Sequence, residues 1–485
     1  MKKFIPLSII LFCFLFNYTI LRDTKDTLVV NAGGAALIPF LRGVSGMTQI
    51  AFVILYLKLV NIFSREKLIY IIIVSFIVFF GLFGFVIYPN VDLLHPAKEA
   101  ITALHAVYPA WYSFIDIYAY WSYSVFYVLA ELWGGILYSF IFWEFANHIF
   151  NFSEAKRFYG LFAVTANVTL ILSGSFVYFC SESIRNYVLP GTDAWRVSIY
   201  LLMSAVVSMG VISIYVCRSM YKGVLPDKSC FDFPESIVTQ EATIDKPSLI
   251  ESFKSIIKSP ELALIAILIV AYGVAMNLIE VQWKEQLKIF FAGDKGGYNG
   301  FLGMYSMATG TYGLIFMIVG IYILRKCSWF TAAVIAPVVV LVGGSLFFTF
   351  IVSKDLFQPL LDSFNLKSNA IAVFLGAGVI LLSKSVISTL FGPTKEMAYI
   401  PLDPELKSKG KAVVDLLVGR FGKAGGAHIQ TGLLAAFATK DIISIAPYAF
   451  GIFAIVCVVW IYAVKGLSKR IDAAVKLREE ESTAA

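Results

Sequence analysis

The chain has 485 residues, 59% of them hydrophobic and 15% charged, with a formal net charge of +7. A soluble domain carries roughly a quarter charged residues, so this composition excludes one. Its long apolar runs suit helices rather than the short alternating strands of an outer-membrane barrel, and the fold class expected is an all-α polytopic membrane protein. The six cysteines (Cys13, Cys180, Cys217, Cys230, Cys327, Cys457) have no metal-ligand spacing. The four histidines (His95, His105, His148, His428) form no cluster in sequence. Neither a haem nor a zinc enzyme is expected, and no cofactor.

Lys2 and Lys3 precede the apolar run Phe4–Phe16, as in a secretory signal. No small-residue cleavage site follows, and apolar sequence resumes beyond the charged stretch NYTILRDTKDTLVV, so residues 4–30 are expected to stay as the first span. Hydropathy predicts about twelve spans. The first six are 4–30, 44–63, 68–88, 114–147, 157–181 and 195–217. A polar segment with Pro226, Pro234, Pro247 and Pro260 follows. The last six are 261–286, 300–324, 328–351, 369–391, 412–438 and 444–464. The expected organisation is a six-helix half over 1–217, a cytoplasmic linker over 218–260, a second six-helix half over 261–464 and a cytoplasmic tail over 465–485.

Short-loop cations set orientation. With the N-terminus inside, Arg65, Lys67, Lys156, Arg157, Arg325, Lys326, Lys395, Lys407, Lys409 and Lys411 share the inner side with the linker and tail. The outer loops hold fewer, among them Arg42, Arg185 and Lys354. Both termini are thus expected in the cytoplasm, and the net charge serves orientation, not nucleic acid. SREK after the second span is echoed weakly by RKCSW after the eighth. Two such halves suggest parallel repeats of the major-facilitator kind, whose first and fourth helices line a central cavity.

Charge inside a span costs roughly 2.5–3.5 kcal/mol per residue on the insertion scale, so it persists only where it pairs, meets water or binds something. The first span carries Arg22, Asp23, Lys25 and Asp26, with Tyr18, Arg22 and Lys25 on one face and Arg22 spaced to pair with Asp26. The fourth carries Glu131, the seventh Glu280, the tenth Lys384, and the eleventh Arg420 and Lys423. Lys25 and Glu280 sit at matching depths, as do Glu131 and Lys384. Cations outnumber carboxylates, which favours an anionic, phosphate-bearing substrate. Tyr120, Tyr123, Tyr127 and Glu131 fall on one helical face, where rings can either stack a base or simply pack. Asn167 either bonds the nucleoside or joins helices. GRFGKAGG in the eleventh span is not a Walker A loop, because no Ser or Thr follows its Lys.

Six stretches together resemble the nucleotide transporter family of obligate intracellular bacteria and plastids, the bacterial-type ADP/ATP translocases. They are FNYTILRDTKDTLVV, FYVLAELWGGILYSFIFWEFAN, KRFYGLFAVTANVTLILSG, NLIEVQWKEQLK, GPTKEMAYIPLD and KGKAVVDLLVGRFGKAGGAHIQ. The resemblance implies exchange of ATP for ADP across the cell inner membrane, with Lys25, Glu131, Glu280 and Lys423 as the critical charges. It departs at NAGGAALIPFLRG, which is shorter than usual, and at Ala424 and Ala427–His428, where Ser-rich sequence is common. Members of the family also import nucleoside triphosphates with protons as the coupling ion, and that alternative stays open. The expected partners are ATP, ADP or another nucleotide and membrane lipid. Two further readings stand beside transport: an embedded enzyme, for which no catalytic dyad or nucleophile motif appears, and charges that only pair helix to helix.

Overall fold

The structure is a computed structural model that describes residues 3–60, 62–108, 111–150, 152–224, 259–399, 419–437, 439 and 441–484. Its described residues are helical, with no strand among them. Among the described residues, eleven helices are long and apolar enough to cross a membrane. The chain is an all-α polytopic membrane protein.

Six membrane elements come before the polar segment. They are α1 (Phe4–Gly33), α2 (Leu37–Val60), α3 (Arg65–Leu82), a compound fourth crossing, α8 (Phe152–Ser181) and α9 (Ala194–Ser219). Outside the crossings lies α4 (Lys98–Val107). The fourth crossing runs through α5 (Tyr112–Ala119), α6 (Trp121–Trp133), a π-helical segment Gly134–Ile141 and α7 (Phe142–Ile149). The second group comprises α10 (Pro260–Phe291), α11 (Lys295–Lys326), α12 (Trp329–Val352), the short α13 (Lys354–Ser363), α14 (Ser368–Val386) and α15 (Gly392–Ala398). A π-helical segment Ile387–Phe391 joins α14 to α15. Last come α16 (Gly419–Ala436) and α17 (Ala446–Ala484). The start of the expected eleventh span lies outside the described residues; its described part is α16.

Two expected boundaries move. The second span begins at Leu37 rather than 44, so Arg42 lies within α2 and not in a loop. The fourth is interrupted at Tyr120 (φ −112°, ψ 43°), which ends α5 and stands outside α6. Tyr120 therefore does not continue the helical face of Tyr123, Tyr127 and Glu131.

The chain clusters into two compact units, Met1–Ile237 with Leu287–Leu314, and Val238–Gln286 with Ile315–Ala485. In the first, α1 is the central post, packed against α6, α8 and α9. Nineteen of its thirty residues are buried. Polar side chains also tie it to its neighbours by bonds to helix carbonyls. Asn17 Nδ2 donates to the Val206 carbonyl at 2.9 Å, and Trp133 Nε1 donates to the Phe14 carbonyl at 3.0 Å. The 287–314 segment joins this unit through glycines: a Cβ on Gly303 would lie 2.8 Å from the Gly174 carbonyl, and one on Gly310 would lie 2.5 Å from the Asn167 carbonyl. In the second unit, Trp283 Nε1 donates to the Val373 carbonyl at 2.9 Å, tying α10 to α14. Gly376, where a Cβ would meet the Trp283 ring at 2.4 Å, admits that indole.

Candidate functional site

The four charges of α1 form two separate pairs rather than the expected Arg22–Asp26 pair. Arg22 Nε donates to Asp23 Oδ1 at 2.9 Å, and its Nη2 donates to Ser306 Oγ at 2.6 Å. The Ser306 hydroxyl stands 2.9 Å from Asp23 Oδ2, so one serine of α11 bridges both charges. The guanidinium also lies 5.8 Å from the centroid of the Tyr18 ring, as their shared face predicts. One turn on, the Thr27 hydroxyl is 2.9 Å from Asn299 Oδ1, and Asn299 Nδ2 donates to Ser181 Oγ at 2.8 Å. This polar seam of α1, α8 and α11 was not singled out from the sequence. The available signal was the spacing of Gly296, Gly300, Gly303, Gly310 and Gly313, which marks a closely approached helix face.

Lys25 occupies a different setting. Its ammonium donates to Asp26 Oδ1 at 2.8 Å and lies 3.0 Å from Glu131 Oε1. It also lies 3.9 Å from the centroid of the Tyr127 ring. The Lys25 side chain is 2% exposed, against 31% for Glu131. A buried cation is tolerable when carboxylates and an aromatic face replace its water, and all of these are present. Tyr127 is fully buried, and its hydroxyl has no hydrogen-bond partner among the described residues. Lys25 occupies one face of its ring.

Tyr123 belongs elsewhere. It stacks on Tyr120 (centroids 6.3 Å apart, rings 5° apart) and meets His95 edge-on at 5.0 Å. His95 is also 2.7 Å from Ser122 Oγ. Burial lowers the His95 pKa below the ordinary 6.5, and nearby Asp92 only partly opposes this. Asn167 Nδ2 donates to the Ala163 carbonyl of its own helix at 2.9 Å. A Cβ on Gly313 would lie 2.1 Å from Asn167 Oδ1, so Asn167 meets α11 as a helix-joining residue.

In the second unit, Lys384 of α14 and Glu280 of α10 form an ion pair with Nζ 2.8 Å from Oε1. Their side chains are 33% and 19% exposed. Beside them Gln430 Nε2 of α16 donates to Asn277 Oδ1 at 2.9 Å, both side chains buried. Gly426 permits that contact, since its Cβ would lie 2.7 Å from the Asn277 Cβ. The side chains of Arg420 and Lys423 lie outside the described residues.

Two groups of membrane-crossing helices, each with an ion pair between its first and fourth crossings, give the chain a polytopic fold of the major-facilitator type. A D-xylose–proton symporter matches with a TM-score of 0.58 at 12% identity, over 95% of this chain and 97% of its own. A nucleoside transporter matches at 0.56 and 10%, over 96% and 99%. At such identities these neighbours speak to the fold alone. The family model for the TLC ATP/ADP transporter matches residues 1–471, and the chain belongs to that family. It is 39% identical to ADP,ATP carrier protein 1 of Chlamydia pneumoniae over 485 residues, covering 99% of this chain and 93% of the relative. It is 41% identical over 488 residues to the chloroplastic ADP,ATP carrier protein 1 of Arabidopsis thaliana, covering 99% and 75%. The protein is therefore a membrane transporter rather than an enzyme.

Proposed function

We propose that the protein exchanges ATP for ADP by alternating access, in an inner membrane and with both termini in the cytoplasm. The names of its relatives and the transporter fold support exchange, and the short-loop cations support the orientation. The observation that carries the mechanism is Lys25, sealed between Asp26, Glu131 and the Tyr127 ring in a membrane helix. In the substrate-free state its charge is neutralised internally. A nucleotide of charge about −3 to −4 competes with those carboxylates, so its differential affinity for the opened site biases the conformational equilibrium. In this reading Arg420 and Lys423 add phosphate-binding cations, on the strength of their motif. Glu131 and Glu280 hold the lysines when no substrate is present. Arg22, paired with Asp23 and Ser306, fixes the face of α1.

Counter-exchange in proteoliposomes tests this. Labelled ATP uptake is expected to need internal ADP and to survive a protonophore. Uptake without internal nucleotide that the protonophore abolishes would support proton-coupled net import instead. Lys25→Gln is expected to lower exchange by about tenfold to a hundredfold, the scale of a lost charge-assisted hydrogen bond. Unchanged exchange would remove Lys25 from the mechanism.

A further inference from the structure

The two units carry the same ion pair with its sign reversed. Lys25 is in the first membrane helix before the polar segment, and Glu280 is in the first helix after it, each near the twentieth residue of its helix. Glu131 and Lys384 lie on the fourth crossing of each group. Glu131 precedes the π-helical segment beginning at Gly134 by three residues, and Lys384 precedes the one beginning at Ile387 by the same three. α1 offers the cation to α6 in one unit, and α14 offers it to α10 in the other. A π-turn shifts the register of a helix and recurs at functional positions, so its placement behind both charged residues marks them as equivalent. π-turns also follow α3 at Phe83–Ile87 and α9 at Met220–Val224, where the residues three positions ahead are Phe80 and Cys217.

The pairs differ in how tightly they are held. Lys25 is 2% exposed and is gripped by two carboxylates and an aromatic ring. Lys384 is 33% exposed and stands 2.8 Å from Glu280. A pair in partial contact with water is weak and exchanges partners readily, whereas a buried one does not. We propose that Lys384 is a cation that the nucleotide's phosphate tail binds, leaving Glu280 for the phosphate. This rests on the exchange reading above and assigns that reading an exchangeable cation.

The test is equilibrium binding of ATP to the purified full-length protein in detergent micelles, read by titration calorimetry, for the wild type, Lys384→Gln, Lys384→Arg and Glu280→Gln. Lys384→Gln is expected to weaken ATP binding by about tenfold or more, and Lys384→Arg by less than about threefold. Glu280→Gln removes the competing carboxylate and is expected to tighten binding, even though exchange falls. The opposite signs of the two glutamine variants identify an exchangeable cation. A pair that only joins α10 to α14 would move both in the same direction, or neither, and either result overturns the proposal. Should Lys384→Gln fail to fold, the sign for Glu280→Gln decides alone, and weaker binding overturns the proposal. A wild type that binds no nucleotide would instead sink the exchange reading.

Discussion

At the scale of single residues, Lys25 and Tyr127 form the sharpest arrangement. Lys25 was legible in the sequence because charge in the middle of an apolar run needs a reason, and Glu131 and Glu280 were legible on the same ground. The role of Tyr127 was not. Helical spacing put it on a face with Tyr123, but only the packing of α1 on α6 decides which ring meets the ammonium. A desolvated cation–π contact is worth about 2 kcal/mol. Tyr127→Leu is therefore expected to lower exchange by roughly thirtyfold, while Tyr127→Phe keeps the ring and retains most activity. Equal loss in both variants would place the function in the hydroxyl instead, and initial rates of labelled ATP uptake separate the two cases. Arg22 shows a different limit. Spacing suggested Asp26 as its partner, yet Ser306 lies more than 280 positions away in sequence and draws both Arg22 and Asp23 to α11.

At the scale of elements, the fourth crossing departs most from its expected form. Hydropathy saw one long span over 114–147, whereas the structure breaks it at Tyr120 and widens it into a π-helix at Gly134. The pair Gly134–Gly135 was a visible cue, since a Cβ on Gly134 would strike the Tyr18 ring at 2.4 Å. A break at Tyr120 has no such signature, because it depends on the aromatic cluster that Tyr120, Tyr123 and His95 build around it. That cluster has a pH dependence of definite sign. His95 is favoured neutral, so the folded state binds the proton less tightly than the unfolded chain. Its stabilising contribution is complete above the ordinary histidine value of 6.5 and declines as the pH falls below it. Amide protection over residues 91–124, corrected for the base-catalysed intrinsic rate, is expected to fall between pH 7 and pH 5, and His95→Phe is expected to flatten that response. An unaltered response in the variant would move the effect to another group.

At the scale of the whole molecule, the helical class and most of the crossings were legible because lipid imposes a length and a composition on each helix. The unit boundaries were not, since Leu287–Leu314 joins the first unit through backbone proximity at glycines, which hydropathy does not register. The burial of α1 also bears on how the chain is made. This helix leaves the ribosome before the helices that cover it, yet it bears four charges and buries nineteen of its thirty residues. Its native surroundings are supplied by α6, α8, α9 and the serine of α11, all synthesised later. The helix that anchors the finished protein is thus a poor resident of bare lipid while it waits. Nascent chains arrested after α2 are expected to hold α1 loosely at the translocon, accessible to aqueous thiol reagents at an introduced Thr24→Cys. Chains extended past residue 326 are expected to protect that position, and protection already complete at the short length would show that α1 needs no partners to settle.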